Sequence, residues 1–205
     1  FDRDKVVKMF QELEFVSLLK RVPGMEELSV KNQILMGKRD KKSVIEFKFS
    51  EVKKAEELDK IIKLIRDKGI FAGRAILNSE DVFNCELIGL ILVVEHESFY
   101  IKGNLIEKVL EIFHNGEIEL VGHDLKQIIK ILNVKYSVLV KNKIFDIQIA
   151  SYLLNPGSRA HDSASVVLKF LGKELPTGSG QKSLFGIDAR FVANELYLLL
   201  SCAHA

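Results

Sequence analysis

Carboxylates are the first candidates for chemistry in this 205-residue sequence. Within GRAILNSEDVFNCELIGLILVV, residues 73–94, Glu80 and Asp81 sit side by side between two apolar runs. Paired carboxylates can gather divalent cations, but only if both point to one face. Neighbours in an extended chain point to opposite faces, so this spacing fits a solvated turn better than a metal site. Asp124 is followed by Gln127 at the head of an apolar helical pattern, which predicts a helix cap. The histidines, His96, His114, His123, His161 and His204, are scattered without an HxxxH pair, which predicts surface or packing roles. Cys85 and Cys202 stand 117 positions apart with no CxxC spacing, arguing against zinc and against a disulfide framework. GxGxxG and GxxxxGKS/T are both absent, and no Ser-His-Asp pattern is evident.

These residues must be positioned by a recognisable run of elements. The first 22 residues read as a helix, with Val6, Phe10 and Leu13 on one stripe, stopped by VPG. Residues 24–43 are polar and irregular, and their basic run at 37–42 reads as a solvated linker. In SVIEFKFSE, Ile45, Phe47 and Phe49 alternate with polar residues, the period of a half-buried strand. Val52, Ala55, Leu58, Ile62 and Ile65 form the stripe of a helix that Gly69 is placed to end. Strands are expected at 70–77, 86–94 and 97–102, with loops short enough for an antiparallel meander. NLIEKVLEIFHNG reads as a helix with Asn104 and Glu107 in capping-box positions. The strand IELVG then leads into DLKQIIKIL, and after a VLV run the helix FDIQIASYLLNPG is capped by Asp146. SASVVLKFLG and DARFVANELYLLL are the last two helices. The order predicts an α/β fold with a mixed sheet: an arm and linker over 1–41, then one domain over 42–205.

Composition is that of a folded core, 47% hydrophobic and 28% charged, with a formal net charge of +2. Binding a polyanion would therefore need a local patch. No apolar run of membrane-spanning length and no signal-peptide pattern are present, so a cytoplasmic protein is expected. The start at Phe1 reads as the interior of a longer polypeptide.

Several segments in order resemble the 3′–5′ exonuclease domain of bacterial family A DNA polymerases, the DNA polymerase I type. ELEFVSLLKR resembles the segment joining the 5′ nuclease region to that domain, and LIGLILV its second sheet strand. VGHDLKQIIKIL resembles the strand-to-helix junction with its Gly-x-Asn-x-Lys pattern. FDIQIASYLLNPG is similar to the Phe-Asp-x-x-x-Ala-x-Tyr-Leu-Leu stretch, and HDSASVVLKFLGKELP follows in the expected order. The resemblance covers essentially the whole chain. It implies a ribonuclease-H-like fold, a central mixed sheet with an antiparallel meander flanked by helices.

The resemblance also implies where a two-metal site would stand, and that this chain has lost it. Active members carry an Asp-x-Glu pair on the first sheet strand, where IFAGRAILNS has no carboxylate; Leu77 and Ser79 are the expected counterparts. The junction Asn corresponds to Asp124, and the metal-binding Asp one turn later to Ile128, which has no lone pair to offer. The Tyr-x-x-x-Asp of the final helix corresponds to Phe191 and Glu195, the one ligand-type residue left. The expectation is thus no catalytic residue, no metal and no cofactor in this segment, with Mg²⁺ belonging to a polymerase domain. The expected partners are that domain in the same polypeptide and DNA through the full-length protein, with no membrane and a monomeric state. Two alternatives stay open. A weak nuclease would use Glu80 or Asp81 with Asp124, Asp146 and Glu195. A non-cutting single-strand binder would use Tyr136, Tyr152, Phe185, Lys141, Lys143 and Lys182.

Overall fold

The computed structural model describes residues 5, 6, 9, 47–79, 84–173, 175 and 188–203. The chain divides into two compact units, Phe1–Ser43 and Val44–Ala205. Of the first, residues 5, 6 and 9 are helical; the expected linker and its basic run at 37–42 lie outside the described residues.

The second unit is built on a six-stranded sheet. Its strands are β1 (Lys48–Glu51), β2 (Ile70–Leu77), β3 (Leu87–Val94), β4 (Glu97–Lys102), β5 (Glu119–Gly122) and β6 (Lys143–Asp146), in the spatial order β1-β4-β3-β2-β5-β6. β2, β3 and β4 form the antiparallel meander expected from their short loops. β1 adds parallel to β4, while β5 and β6 continue parallel from β2. The helices are α1 (Ala55–Lys68), α2 (Leu105–Val109), α3 (Leu125–Tyr136), α4 (Ile147–Leu154), α5 (Ser163–Leu171) and α6 (Ala189–Ala203), with a 3₁₀ turn at Leu110–His114.

Period-two geometry sorts the central strands into two cores. Phe71, Ala75, Leu90, Leu92 and Leu120 meet Leu58, Ile62 and Ile65 of α1 and Ile128, Ile131 and Leu132 of α3. Ala72, Ile76, Ile91, Val93 and Val121 face the other way, onto Ile147, Val166 and Val167 and onto the α6 stripe of Val192, Leu196 and Leu199. β3 is covered on both faces, which is why LILVV is an unbroken apolar run. Gly69 ends α1 at φ 69°, a left-handed conformation that a Cβ would strain.

The local signals at helix starts fared unevenly. Asp146 caps α4 as expected, its Oδ1 accepting from the N–H groups of Gln148 and Ile149. Asp124 does not cap α3. Its backbone is left-handed (φ 54°, ψ 54°) rather than extended, and its side chain makes no cap bond. The α3 terminus is instead satisfied from 21 positions away: Leu125 N–H donates to Asp146 Oδ2 at 2.8 Å. Asn104, in αR geometry, makes no cap bond either. The VLV run at 138–140 is not a strand; KIFD after it is β6, an edge strand needing only four residues against β5. Asp146 thus ends β6 and closes the free ends of two helices with one carboxylate. Replacing Asp146 by Ala should cost about 1–3 kcal/mol in urea unfolding, since three backbone N–H groups lose their acceptor together.

Asp162 caps α5 in the ordinary way, through the N–H and hydroxyl of Ser165. The hydroxyl bond, then the N–H bond, hold its carboxyl below the ordinary carboxylate range. A lowered folded-state value means the stabilisation is present above the unfolded pKa and is lost as pH falls through the folded one. Asp162→Ala should be less stable than wild type by about 1 kcal/mol at neutral pH. The gap should close as acid denaturation is followed downward from about pH 4.

Candidate functional site

An ion pair joins the sheet to the last helix. β2 turns Ala72, Arg74 and Ile76 toward α6, and Arg74 is the only charged residue in the strand. Its Nη1 lies 2.9 Å from Oε2 of Glu195, which is 7% exposed on α6. A buried carboxylate without a counter-charge is costly, so Glu195 requires Arg74, whose guanidinium also reaches solvent.

Beside the pair opens a cleft of about 150 Å³, lined by Gly73, Arg74, Ala75, His123, Asp124, Leu125, Gln127, Ile128 and Gln148. It lies between the middle of β2, the end of β5 and the first turns of α3 and α4. Gly73 keeps its floor open: a Cβ there would come 3.1 Å from Leu120 Cδ1 and 3.6 Å from Ile128 Cδ1. Glu195 is not among the lining residues; Arg74 stands between it and the space.

The expected site residues separate on this geometry. Ile128, buried, lines the cleft, and Glu195 stands behind Arg74. Phe191, four residues before Glu195 on α6, packs on the same core. Leu77 packs against the opposite core, beyond a register shift between Ile76 and Leu77. Ser79 is exposed past the end of β2. The i,i+2 pair that β2 turns to the helix of Glu195 is therefore Arg74 and Ile76, not Leu77 and Ser79. Arg74 was missed by sequence reasoning; its signal was a lone cation in an otherwise apolar strand.

Other candidate chemistry has structural partners. Asp146 is committed to three N–H groups. Glu80, Asp81, Phe185, Lys182 and His204 lie outside the described residues. His96 Nδ1 bonds the Tyr197 hydroxyl at 3.2 Å, and His114 Nδ1–H donates to the Leu139 carbonyl. His123 Nε2–H donates to the His161 carbonyl at 2.7 Å. His161 donates from Nε2 to the Ser158 carbonyl and accepts at Nδ1 from buried Ser151, a pair with no carboxylate behind it. Burial pushes the Cys202 thiol up to about 11, far from a reactive thiolate. Tyr136 packs against the first core, whereas Tyr152 is exposed on α4, whose Ile147 belongs to the second, so these rings do not share a groove. Among the described residues, no three His, Cys, Asp or Glu side chains are grouped to hold a metal ion.

The sequence profile of a family described as DNA polymerase I, ribonuclease H-like domain matches residues 76–178. The chain belongs to this family. A comparison with curated proteins finds no match by sequence. Among solved structures, the catalytic core of RRP6 from Trypanosoma brucei superposes with a TM-score of 0.64 at 15% identity, covering 84% of this chain and 50% of that one. RNase D of Escherichia coli, an exoribonuclease involved in structured RNA processing, gives 0.64 at 13% identity over 77% and 44%. Pol1 of M. smegmatis, solved with DNA primer-template and dNTP, gives 0.61 at 16% over 76% and 26%. The chain spans half or less of these neighbours, and at such identities the likeness is one of fold. That fold is the ribonuclease-H-like mixed sheet with flanking helices.

Divalent metals are what a nuclease of this fold would hold, and the donor set found here does not fit them. The cleft lining offers two ligand-type side chains, Asp124 and His123, beside a guanidinium, an isoleucine and two amides, and the buried carboxylate next to it, Glu195, is already paired. Arg74→Ala should destabilise the domain by about 1–3 kcal/mol, the buried-pair cost reduced for the part-exposed guanidinium. Adding Glu195→Gln should recover part of that loss, and a double-mutant cycle in chemical denaturation reads the coupling.

Proposed function

We propose that this is a non-cleaving ribonuclease H-like domain of a DNA polymerase I-type protein, in which an internal ion pair stands in place of a metal centre. The observation that carries the reading is the 2.9 Å contact between Arg74 and Glu195. Arg74 and Ile76 occupy the i,i+2 positions where active relatives would present two acids, and Ile128 the position of a third.

Electrostatics supports the reading. A carboxylate about 4 Å from a dication attracts it by about 8 kcal/mol at an effective dielectric of about 20. A guanidinium at a similar distance repels it by about as much. The neutral pair therefore offers almost nothing against the cost of stripping water from the ion. A phosphodiester-cleaving centre needs two such ions, to generate the nucleophile and to steady the leaving oxygen. A weak nuclease built from substitute acids gains no support from Asp146 or Glu195, since both carboxylates already have partners.

The domain then serves as a scaffold beside a polymerase domain of the same polypeptide, which would supply the Mg²⁺ chemistry and the contact with DNA. A monomer in the cytoplasm follows from that role. No helix among the described residues is long and apolar enough to cross a membrane. A 3′-labelled single strand incubated with the protein and Mg²⁺ or Mn²⁺ should remain intact, and Mn²⁺ should leave the melting temperature unchanged. Metal-dependent release of 5′-mononucleotides would reject the proposal.

A further inference from the structure

Helix α4 is apolar on the side that faces away from the domain. Ile147 and Ser151 are buried, while Ile149, Tyr152 and Leu153, spaced i, i+3 and i+4, make up the opposite stripe. Ile149 is 58% exposed and Leu153 73%. Leu154 and, on the following helix α5, Leu168 are exposed as well. Exposed apolar surface of this extent marks a contact site more often than it marks accident.

Charge indicates what fits there. Between residues 141 and 173 the cations are Lys141, Lys143, Arg159, Lys169 and Lys173, and the carboxylates are Asp146 and Asp162 alone. Both carboxylates are committed to helix caps. None of the ion pairs among the described residues involves these five cations, and with the two carboxylates counted the 141–173 segment keeps a formal charge of +3.

We infer that α4 and its basic surround dock an acidic, amphipathic helix of another polypeptide. Leucine-type side chains of that helix would cover Ile149, Leu153 and Leu168, and its acids would meet the lysines, the helix-in-groove arrangement. A second copy of this chain fits poorly, because it would set like charges against each other. Single-stranded nucleic acid would meet mostly aliphatic carbons, and the one ring on the stripe, Tyr152, already packs edge-on against His161. Lipid would leave the outer backbone groups of edge strand β6 beside it without partners, whereas a polypeptide can supply them. The inference stands apart from the nuclease question, since it uses no residue of the cleft.

The test is fluorescence anisotropy with a labelled synthetic helix of about 18 residues, leucine on one stripe and glutamate elsewhere. Saturable binding is expected, weakened by salt and by Lys143→Glu with Lys169→Glu. The combined Ile149→Glu and Leu153→Glu variant should weaken it by at least about tenfold. Both of those side chains are mostly exposed, so the variant should keep the wild-type melting temperature and circular dichroism. Absence of binding, equal binding of a lysine-substituted peptide, or wild-type affinity in that variant overturns the inference. So does preferential binding of oligo-dT or of phosphatidylserine vesicles, or a wild-type dimer that the Ile149→Glu and Leu153→Glu variant dissolves.

Discussion

A carboxylate buried on a helix that packs against the sheet needs a counter-charge, and Glu195 finds it in the part-exposed Arg74 of β2. β2 lies between β3 and β5 with cores above and below, so the parity of each residue decides which core it enters. Arg74 falls on the α6 side, and Glu195, one turn after Phe191, is the partner that α6 supplies. The register of β2, the rotation of α6 and the electrical state of the cleft are thereby fixed together. Slipping β2 by one residue would turn Arg74 into the core of Phe71 and Leu120, where it would face only apolar side chains.

A second constraint ties the cleft to the rest of the fold. β5 and β6 end side by side, with Gly122 paired to Asp146, and a helix leaves each of them. Two helix N-termini close together present several unsatisfied N–H groups, and Asp146 answers three of them. With Asp124 in a left-handed conformation, the chain turns sharply from β5 into α3, placing Gln127 and Ile128 at the cleft wall. The loop after α4 is held by the His161 and His123 contacts, which pin it to the same corner.

Much of this was legible in the sequence, and the failures share one physical cause. The meander, the helix stripes and the stop at Gly69 depend on periodicity and short-range sterics, which a sequence displays directly. Asp124 has every local mark of a cap, yet the bond comes from Asp146, a tertiary contact that no window of a few residues contains. The placing of Leu77 and Ser79 erred for a related reason. In IFAGRAIL both faces are buried, so alternation vanishes and apolarity alone cannot reveal which residues share a face; the register shift after Ile76 hides the phase further. What a sequence can show in such a strand is the exception, and Arg74 is the exception. The end of β6, Phe145 and Asp146, was read with the following helix because four residues carry too little pattern to mark a strand.

The distribution of charge bears on what such a domain can still do. Around the cleft, guanidinium and carboxylate cancel within a few ångströms, which leaves Asp124 as the one further charge on its lining. In the β6–α4–α5 segment the two carboxylates cap helices and keep their charge, and five cations outnumber them. Carboxylates thus serve differently in the two places. Glu195 pairs directly with a cation, while Asp146 and Asp162 form no ion pair and cap helices instead. The excess of positive charge in the 141–173 segment is exposed to solvent, so any attraction it exerts is screened by salt.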